Sequence, residues 1–199
     1  MSLLSGERNQ VTAILLAAGG SRRLGQPKQL VQFKNELLIN YIINQIRVGG
    51  ISEIRVVLGN HFSEIRDLIK SKDLEILENT KWEEGISSSI KCGLTNLKPH
   101  TQAAIIFTVD QPYLKPQLIN EILQKFTKSN ANIIATSVYG QLIPPVLYRK
   151  KVFPKLMKLK GDKGGKAIFG EENVEMVVWE DERLLIDIDS DDDLEKLNS

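Results

Sequence analysis

The stretch "ILLAAGGSRRLGQPK", residues 14–28, decides how this chain is read. An apolar run stops at Gly19 and Gly20, and Ser21, Arg22, Arg23, Gly25 and Lys28 follow within a few residues. Val11 to Leu16 reads as a continuous apolar strand, of the kind buried on both faces of a parallel sheet. Glycines after such a strand let backbone N–H groups approach phosphate oxygens. Arg22, Arg23 and Lys28 add charge-assisted donors. The chemistry served by this combination is binding of a polyphosphate; a basic surface turn is the plain alternative. Gly20 to Gly25 has P-loop spacing, but a P-loop continues with Lys-Ser or Lys-Thr opening a helix. Here Gln26-Pro27-Lys28 follows, and proline disfavours helix at the residue before it. The glycines also miss the G-x-G-x-x-G spacing, so an ATPase and a dinucleotide dehydrogenase are set aside.

Outward from this loop, apolar periodicity predicts helices over residues 37–48, 61–71, 86–97 and 116–129. Strands are expected over 53–59, 74–79, 103–110 and 131–138. Strand and helix alternate, which argues for an α/β fold with a parallel sheet covered by helices on both faces. Beyond residue 138 the pattern loosens. "IPPVLYRK" (143–150) is pushed by its two prolines toward an edge strand or a bend. Short helices are expected over 152–159 and 165–169, strand-like segments at "VEMVVW" and "RLLIDID", and a closing helix over 191–197. No linker divides these parts, so residues 1–10 read as a tail and 11–199 as a single domain. In such sheets ligands sit beyond the carboxyl ends of the strands. The glycine loop, Asp110 and the pair Asp187/Asp189 all fall at such ends.

Composition narrows the classes. Of 199 residues, 42% are hydrophobic and 26% charged, enough for a sizeable core. A formal net charge of +1 gives no global field toward nucleic acid or a membrane surface. One cysteine, Cys92, excludes an internal disulfide and fits a reducing, cytoplasmic setting. No apolar run approaches the ~20 residues of a membrane span, and "MSLLSGERNQ" lacks the apolar centre of a signal peptide. Cys92 falls inside a predicted helix and reads as a small buried hydrophobe. His61 and His100 have no partner at metal-ligand spacing and read as turn residues.

"LAAGGSRRLGQPK" resembles the L-A-A-G-x-S-x-R-x-G-x-x-K motif of the MobA/MocA-type nucleotidyltransferases. Leu16, Ala17, Ala18, Gly19, Ser21, Arg23, Gly25 and Lys28 match it. The double alanine is similar to the molybdenum cofactor cytidylyltransferase branch. The resemblance implies a Rossmann-like, three-layer α/β/α domain with a mostly parallel sheet, like the nucleotide-diphospho-sugar transferases. It also implies the ligand set. Leu16, Ala17, Ala18, Gly19, Gly20, Ser21, Arg23 and Lys28 would bind the nucleotide, with Arg23, Lys28 and Asp110 catalytic.

"FTVDQPYL" places Asp110 after a buried strand. Such an aspartate can hold a cation or serve as a turn residue, and the D-Q-P triplet is similar to the family's metal motif. Strand alternation would put Asp187 and Asp189 on one face, and "LLIDIDSDDDLEKL" resembles the family's D-I-D-T-P-E-D-L. Asp110 and Asp189 are therefore expected to hold Mg²⁺, with Asp187 as runner-up. "NTKWEEGISSSIKCGL" is similar to a nucleoside-holding segment, which assigns Asn79, Gly85 and Ser89 to the nucleotide; Trp82 reads as core packing. "GDKGGKAIF" resembles G-D-K-G-A-R and gives Asp162 and Lys163 to the acceptor. "IPPVLYRK" is similar to a G-x-P-x-x-F segment that lies near the acceptor, which gives Pro145 to the acceptor as well, with Ile143 in place of glycine and Tyr148 in place of phenylalanine.

The family then implies that CTP donates CMP to the terminal phosphate of molybdopterin, releasing pyrophosphate, with a delivery contact to a molybdoenzyme. A monomer or weak dimer is expected, with no nucleic acid or membrane partner. The alternatives are GTP with the same cofactor, an NTP with a sugar phosphate, and a non-catalytic cofactor carrier.

Overall fold

The computed structural model describes residues 10–20, 24–188 and 193. Its centre is β1 (Val11–Ala17), all seven residues of which are buried. A small hairpin, β2 (Gln32–Phe33) and β3 (Glu36–Leu37), precedes helix α1 (Leu38–Val48). The chain continues through β4 (Glu53–Leu58), α2 (Phe62–Leu68), β5 (Glu75–Glu78) and α3 (Ile86–Leu94). Then come β6 (Ala103–Thr108), α4 (Pro116–Lys128), β7 (Ile133–Val138), β8 (Gln141–Arg149), the short α5 (Phe153–Leu156) and β9 (Val174–Val178). The main sheet has seven strands in the order β5-β4-β1-β6-β8-β7-β9. Every pairing is parallel except those of β8, which runs antiparallel to β6 and β7.

Alternate residues of β1 feed two cores. Ala13 and Leu15 pack with α1 and α4 on one face of the sheet. Ile14 and Leu16 pack with α3 and α5 on the other. The result is the three-layer α/β/α arrangement. After β1 the chain winds through β4 and β5 on one side, then returns to place β6 on the other. Such a reversal opens a crevice at the carboxyl ends of the central strands.

Several boundaries differ from the sequence reading, and each has a local cause. The helix expected over 61–71 is α2 alone. Buried Asn40 takes the Leu68 carbonyl (3.0 Å) and the Lys70 N–H (3.0 Å), which stops it. The helix expected over 86–97 ends at Leu94, because the buried Arg55 guanidinium takes the carbonyls of Gly93, Thr95 and Asn96. The segment 143–150 is no edge: all but Lys150 lies within β8, between β6 and β7. The described part of "RLLIDID", residues 183–188, is no strand either. It forms a 3-10 turn (Glu182–Leu185) capped by the Asp181 side chain, followed by extended chain. The closing helix over 191–197 lies outside the described residues except for Asp193, which is helical. No helix among the described residues is long and apolar enough to cross a membrane.

Candidate functional site

A cleft of about 430 Å³ opens where β1 and β6 end. Leu16, Ala17, Ala18, Gly19 and Gly20 form one wall, Thr108, Val109 and Asp110 a second, and Lys28 and Gln29 close one side. The β1 loop is held from behind. The Val109 N–H donates to the Leu16 carbonyl (3.2 Å), and the Asn60 N–H donates to that of Ala18 (3.4 Å). Gln29, only 1% exposed, donates its amide to the Ala17 carbonyl (2.5 Å) and the Gly19 carbonyl (3.4 Å). Lys28 and Gln29 belong to one 3-10 turn (Lys28–Leu30) whose preceding residue, Pro27, is extended. No P-loop helix opens there.

Lys28 and Asp110 meet across the cleft, Nζ to Oδ2 at 3.4 Å, with side chains 14% and 26% exposed. Asp110 also borders a side cavity of about 160 Å³ that it shares with Asp187, Thr108 and Gln111. The Ile188 N–H donates to the Asp110 backbone carbonyl (3.1 Å), which brings the segment carrying Asp187 beside β6. This backbone contact juxtaposes Asp110 and Asp187. Among the described residues no three His, Cys, Asp or Glu side chains converge as a metal cluster. Magnesium usually takes one or two protein carboxylates and keeps several waters, and the oxygen donors of Asp110 and Asp187 suit it.

The opposite wall comes from the start of α3. Gly85 caps this helix at φ 93°, and a side chain there would run into Gly161 and the Asp162 carboxylate. The Gly161 carbonyl accepts from the Ser87 N–H (3.2 Å), so the loop carrying Asp162 is docked on the helix start. Gly85, Asp162 and Ser89 all line the cleft. Asn79 does not; it is buried behind the wall. Its amide donates to the hydroxyls of Ser88 (2.8 Å) and Ser89 (3.1 Å), and its carbonyl oxygen accepts from the Lys81 N–H (3.0 Å). Lys163 is exposed and lines neither cavity, and Pro145 is buried in β8 with its carbonyl accepting from Thr136 (2.7 Å). Ser21, Arg22, Arg23, Asp189 and the tail 1–9 lie outside the described residues.

Of the six cleft residues that escaped the sequence reading (Gln29, Trp82, Glu83, Ile86, Thr108 and Val109), two have a role the contacts explain. Gln29 holds the loop backbone, a role set by a contact 12 residues away that no local pattern announces. Trp82, read as core, packs against the second core but also lines the cleft. A Cβ on Gly20 would come within 3.1 Å of its indole, and one on Gly59 within 2.6 Å of its Cβ. The absent side chains at Gly20 and Gly59 are the signal that something flat is seated there. Cys92 is half-buried on α3, where burial pushes its thiol above the usual range, so it is no ready nucleophile.

Comparison with known proteins adds four findings. The MobA-like NTP transferase domain matches residues 13–176. The chain is 30% identical over 142 residues to nicotine blue oxidoreductase of Paenarthrobacter nicotinovorans, covering 70% of this chain and 67% of that protein. It is 27% identical over 138 residues to a probable molybdenum cofactor guanylyltransferase of Natranaerobius thermophilus, covering 68% of this chain and 64% of that protein. It therefore spans about two thirds of the length of these curated relatives. The crystal structure of Rv0371c from Mycobacterium tuberculosis H37Rv has the same fold, with a TM-score of 0.85 at 24% identity, covering 96% of this chain and all of that one.

Proposed function

The chain belongs to the MobA-like NTP transferase family, and from that membership we propose that it transfers CMP from CTP to the terminal phosphate of an acceptor, releasing pyrophosphate. Molybdopterin is the acceptor that the sequence motifs favour. The observation that carries this reading is the meeting of the strand-end backbone, Lys28 and Asp110 around one cleft.

Nucleotidyl transfer asks the protein mainly for positioning and charge. An oxygen of the acceptor phosphate forms a bond to the α-phosphorus. The bond from the α-phosphorus to the β-phosphate bridging oxygen breaks, and pyrophosphate leaves. The loop from Leu16 to Gly20 offers close approach to the nucleotide. Lys28 places an ammonium where charge grows on the leaving pyrophosphate, and Arg23 is expected to add a second cation from the same loop. Ser89 and Gly85 border the nucleoside end. Asp110 would hold a magnesium ion together with Asp187 or Asp189. When bound, that ion would supply positive charge to offset that of the phosphates.

The oxidoreductase among the relatives is named for different chemistry. The glycine spacing here lacks the dinucleotide fingerprint, which supports transfer over redox. A second reading keeps the chemistry and changes the acceptor. It is favoured by Ile143, which lines the cavities beside the cleft where the family pattern has glycine.

The test is pyrophosphate release by purified protein with Mg²⁺, each of the four NTPs, and molybdopterin or a sugar phosphate as acceptor, with the product mass measured. CTP with molybdopterin giving a CMP adduct is the expected result. Tight binding of NTP and acceptor without turnover would make the protein a carrier and overturn the reading.

A further inference from the structure

The main sheet has two edges, and they differ. β5 forms one, with Glu75 and Glu78 exposed at its ends. Such charges keep an edge from pairing. β9 forms the other and carries a single charge, Glu175. That carboxylate is turned toward α4, where it accepts from the Ser129 hydroxyl (2.6 Å) and pairs with Lys125 (3.4 Å). It does not guard the edge.

The bonds to β7 decide which backbone groups are left over. The Asn173 carbonyl accepts from the Ile133 N–H (3.2 Å), and the Trp179 N–H donates to the Ser137 carbonyl (2.8 Å). Odd-numbered residues here therefore turn their backbone groups toward β7. The N–H and C=O groups of Val174, Met176 and Val178 point off the sheet, and among the described residues no strand pairs with them. Val177 is buried in the core that contains α4, so Met176 and Val178 stand on the opposite face. They are 49% and 69% exposed. An open edge with apolar side chains is a template for another strand.

We propose that this edge receives a second copy of the chain: two β9 strands pair antiparallel about a two-fold axis at Met176 and join the two seven-stranded sheets. The register follows from the groups to be satisfied. Met176 faces Met176 of the second copy, Val174 faces its Val178, and each such pair exchanges both backbone hydrogen bonds. Every outward group of β9 is then paired, and the apolar side chains meet in cross-strand pairs. Charge agrees with this axis. Glu121, Lys125 and Lys128 of α4 border the groove beside β9. The axis lays the two α4 helices antiparallel, which turns Glu121 of each copy toward Lys128 of the other. Because β9 runs parallel to β1 and β6, the two clefts open at opposite ends of the joined sheet. The pairing is therefore independent of the transfer reading.

Sedimentation velocity over a concentration series tests it, with Met176→Lys and Val178→Lys as edge variants. Both side chains are exposed, so both variants should fold, and circular dichroism melts check this. Wild type should pass from monomer to dimer as concentration rises. Each variant should raise the dimer dissociation constant roughly tenfold or more, since it replaces apolar cross-strand pairs by charge. Glu121→Lys and Lys128→Glu should each weaken the dimer, and the two together should restore it. Oxidation in a Cys92→Ser background reads the register. Facing residues of a hydrogen-bonded pair lie about 5.5 Å apart between Cα atoms, within disulfide reach. Met176→Cys should therefore cross-link to itself, and Val174→Cys should not. A monomer at every concentration overturns the proposal and leaves the edge to a foreign strand. So does a dimer indifferent to both lysine variants, or one that Val174→Cys cross-links as readily as Met176→Cys. Species that keep growing beyond the dimer overturn the two-fold axis, and a charge reversal without rescue overturns the placement of α4.

Discussion

Lys28 and Asp110 are paired at 3.4 Å in a place where neither is fully solvated. In the proposed reaction both charges are redirected, the ammonium to phosphate and the carboxylate to magnesium. Asp110→Ala should then abolish turnover, by roughly 10²-fold or more, as for loss of one preorganised electrostatic contact. The fold should survive, because Asp110 follows β6 and belongs to neither core. Circular dichroism melts and pyrophosphate release check the two halves, and full activity in this variant would remove the metal assignment. Gln29→Met tests a residue the sequence did not mark. It deletes the amide that holds the Ala17 and Gly19 carbonyls. A net cost of about 1–3 kcal/mol is expected, with KM for the nucleotide raised more than kcat is lowered. The contrast explains what was legible at this scale. Gly19, Lys28 and Asp110 announce themselves because glycine, cation and strand-end carboxylate carry their chemistry locally. Gln29 and Trp82 act through contacts distant in sequence, so neighbours in the chain say nothing about them.

Among the elements, α3 has the least room. Gly93 on this helix faces Ile14 of β1, and an alanine Cβ would overlap the Ile14 Cγ2 methyl. Ile14 is fully buried and cannot swing away. Gly93→Ala should therefore destabilise by about 1–3 kcal/mol, the range for overpacking a filled core. Urea melts check it, and a neutral result would mean that the helix and sheet separate more easily than their packing implies. Because the start of α3 carries Gly85 and Ser89, the same variant should also weaken nucleotide binding. Elements with strong apolar patterns, such as β1, α1 and α4, were legible in the sequence because pattern and packing agree. The proline-bearing strand β8 was not. Its prolines lie where the pairing with β7 shifts register between Ala135 and Thr136, and the Thr136 hydroxyl donates to the Pro145 carbonyl there. An irregular ladder tolerates proline at the centre of a sheet, but only the partner strand reveals the irregularity.

Across the whole molecule, the alternation of strands and helices foretold the layers, and strand-end logic foretold which loops meet. It could not foretell how the chain after β9 returns over the carboxyl end of the sheet, because that return depends on charges rather than on periodicity. Asp181 organises it. The carboxylate accepts from Arg183 (2.7 and 2.8 Å) and pairs with Lys115 (2.6 Å), the residue just before α4. The hydrogen bonds from Arg183, then that from Lys115, hold the Asp181 carboxyl far below the usual carboxylate range. The turn so fixed offers the Leu184 carbonyl to Gln111 (3.3 Å) and leads to Asp187 beside Asp110. A carboxyl whose folded value lies below its unfolded one, near ~3.9, adds stability above the unfolded value. That stability is lost as pH falls through the unfolded value toward the folded one. Lys115 and Arg183 are 42% and 53% exposed, so screening limits the gain. Asp181→Asn should cost about 0.5–1 kcal/mol at pH 7. The gap between variant and wild type should hold down to about pH 5 and shrink steadily below it as pH falls toward the folded value. Urea melts at pH 7, 5 and 3 measure the difference, and a gap that stays constant into acid would show that packing, not this carboxylate, fixes the return. Loosening the turn should also displace Asp187, so the variant at neutral pH should need more Mg²⁺ for half-maximal transfer while its affinity for CTP alone stays unchanged.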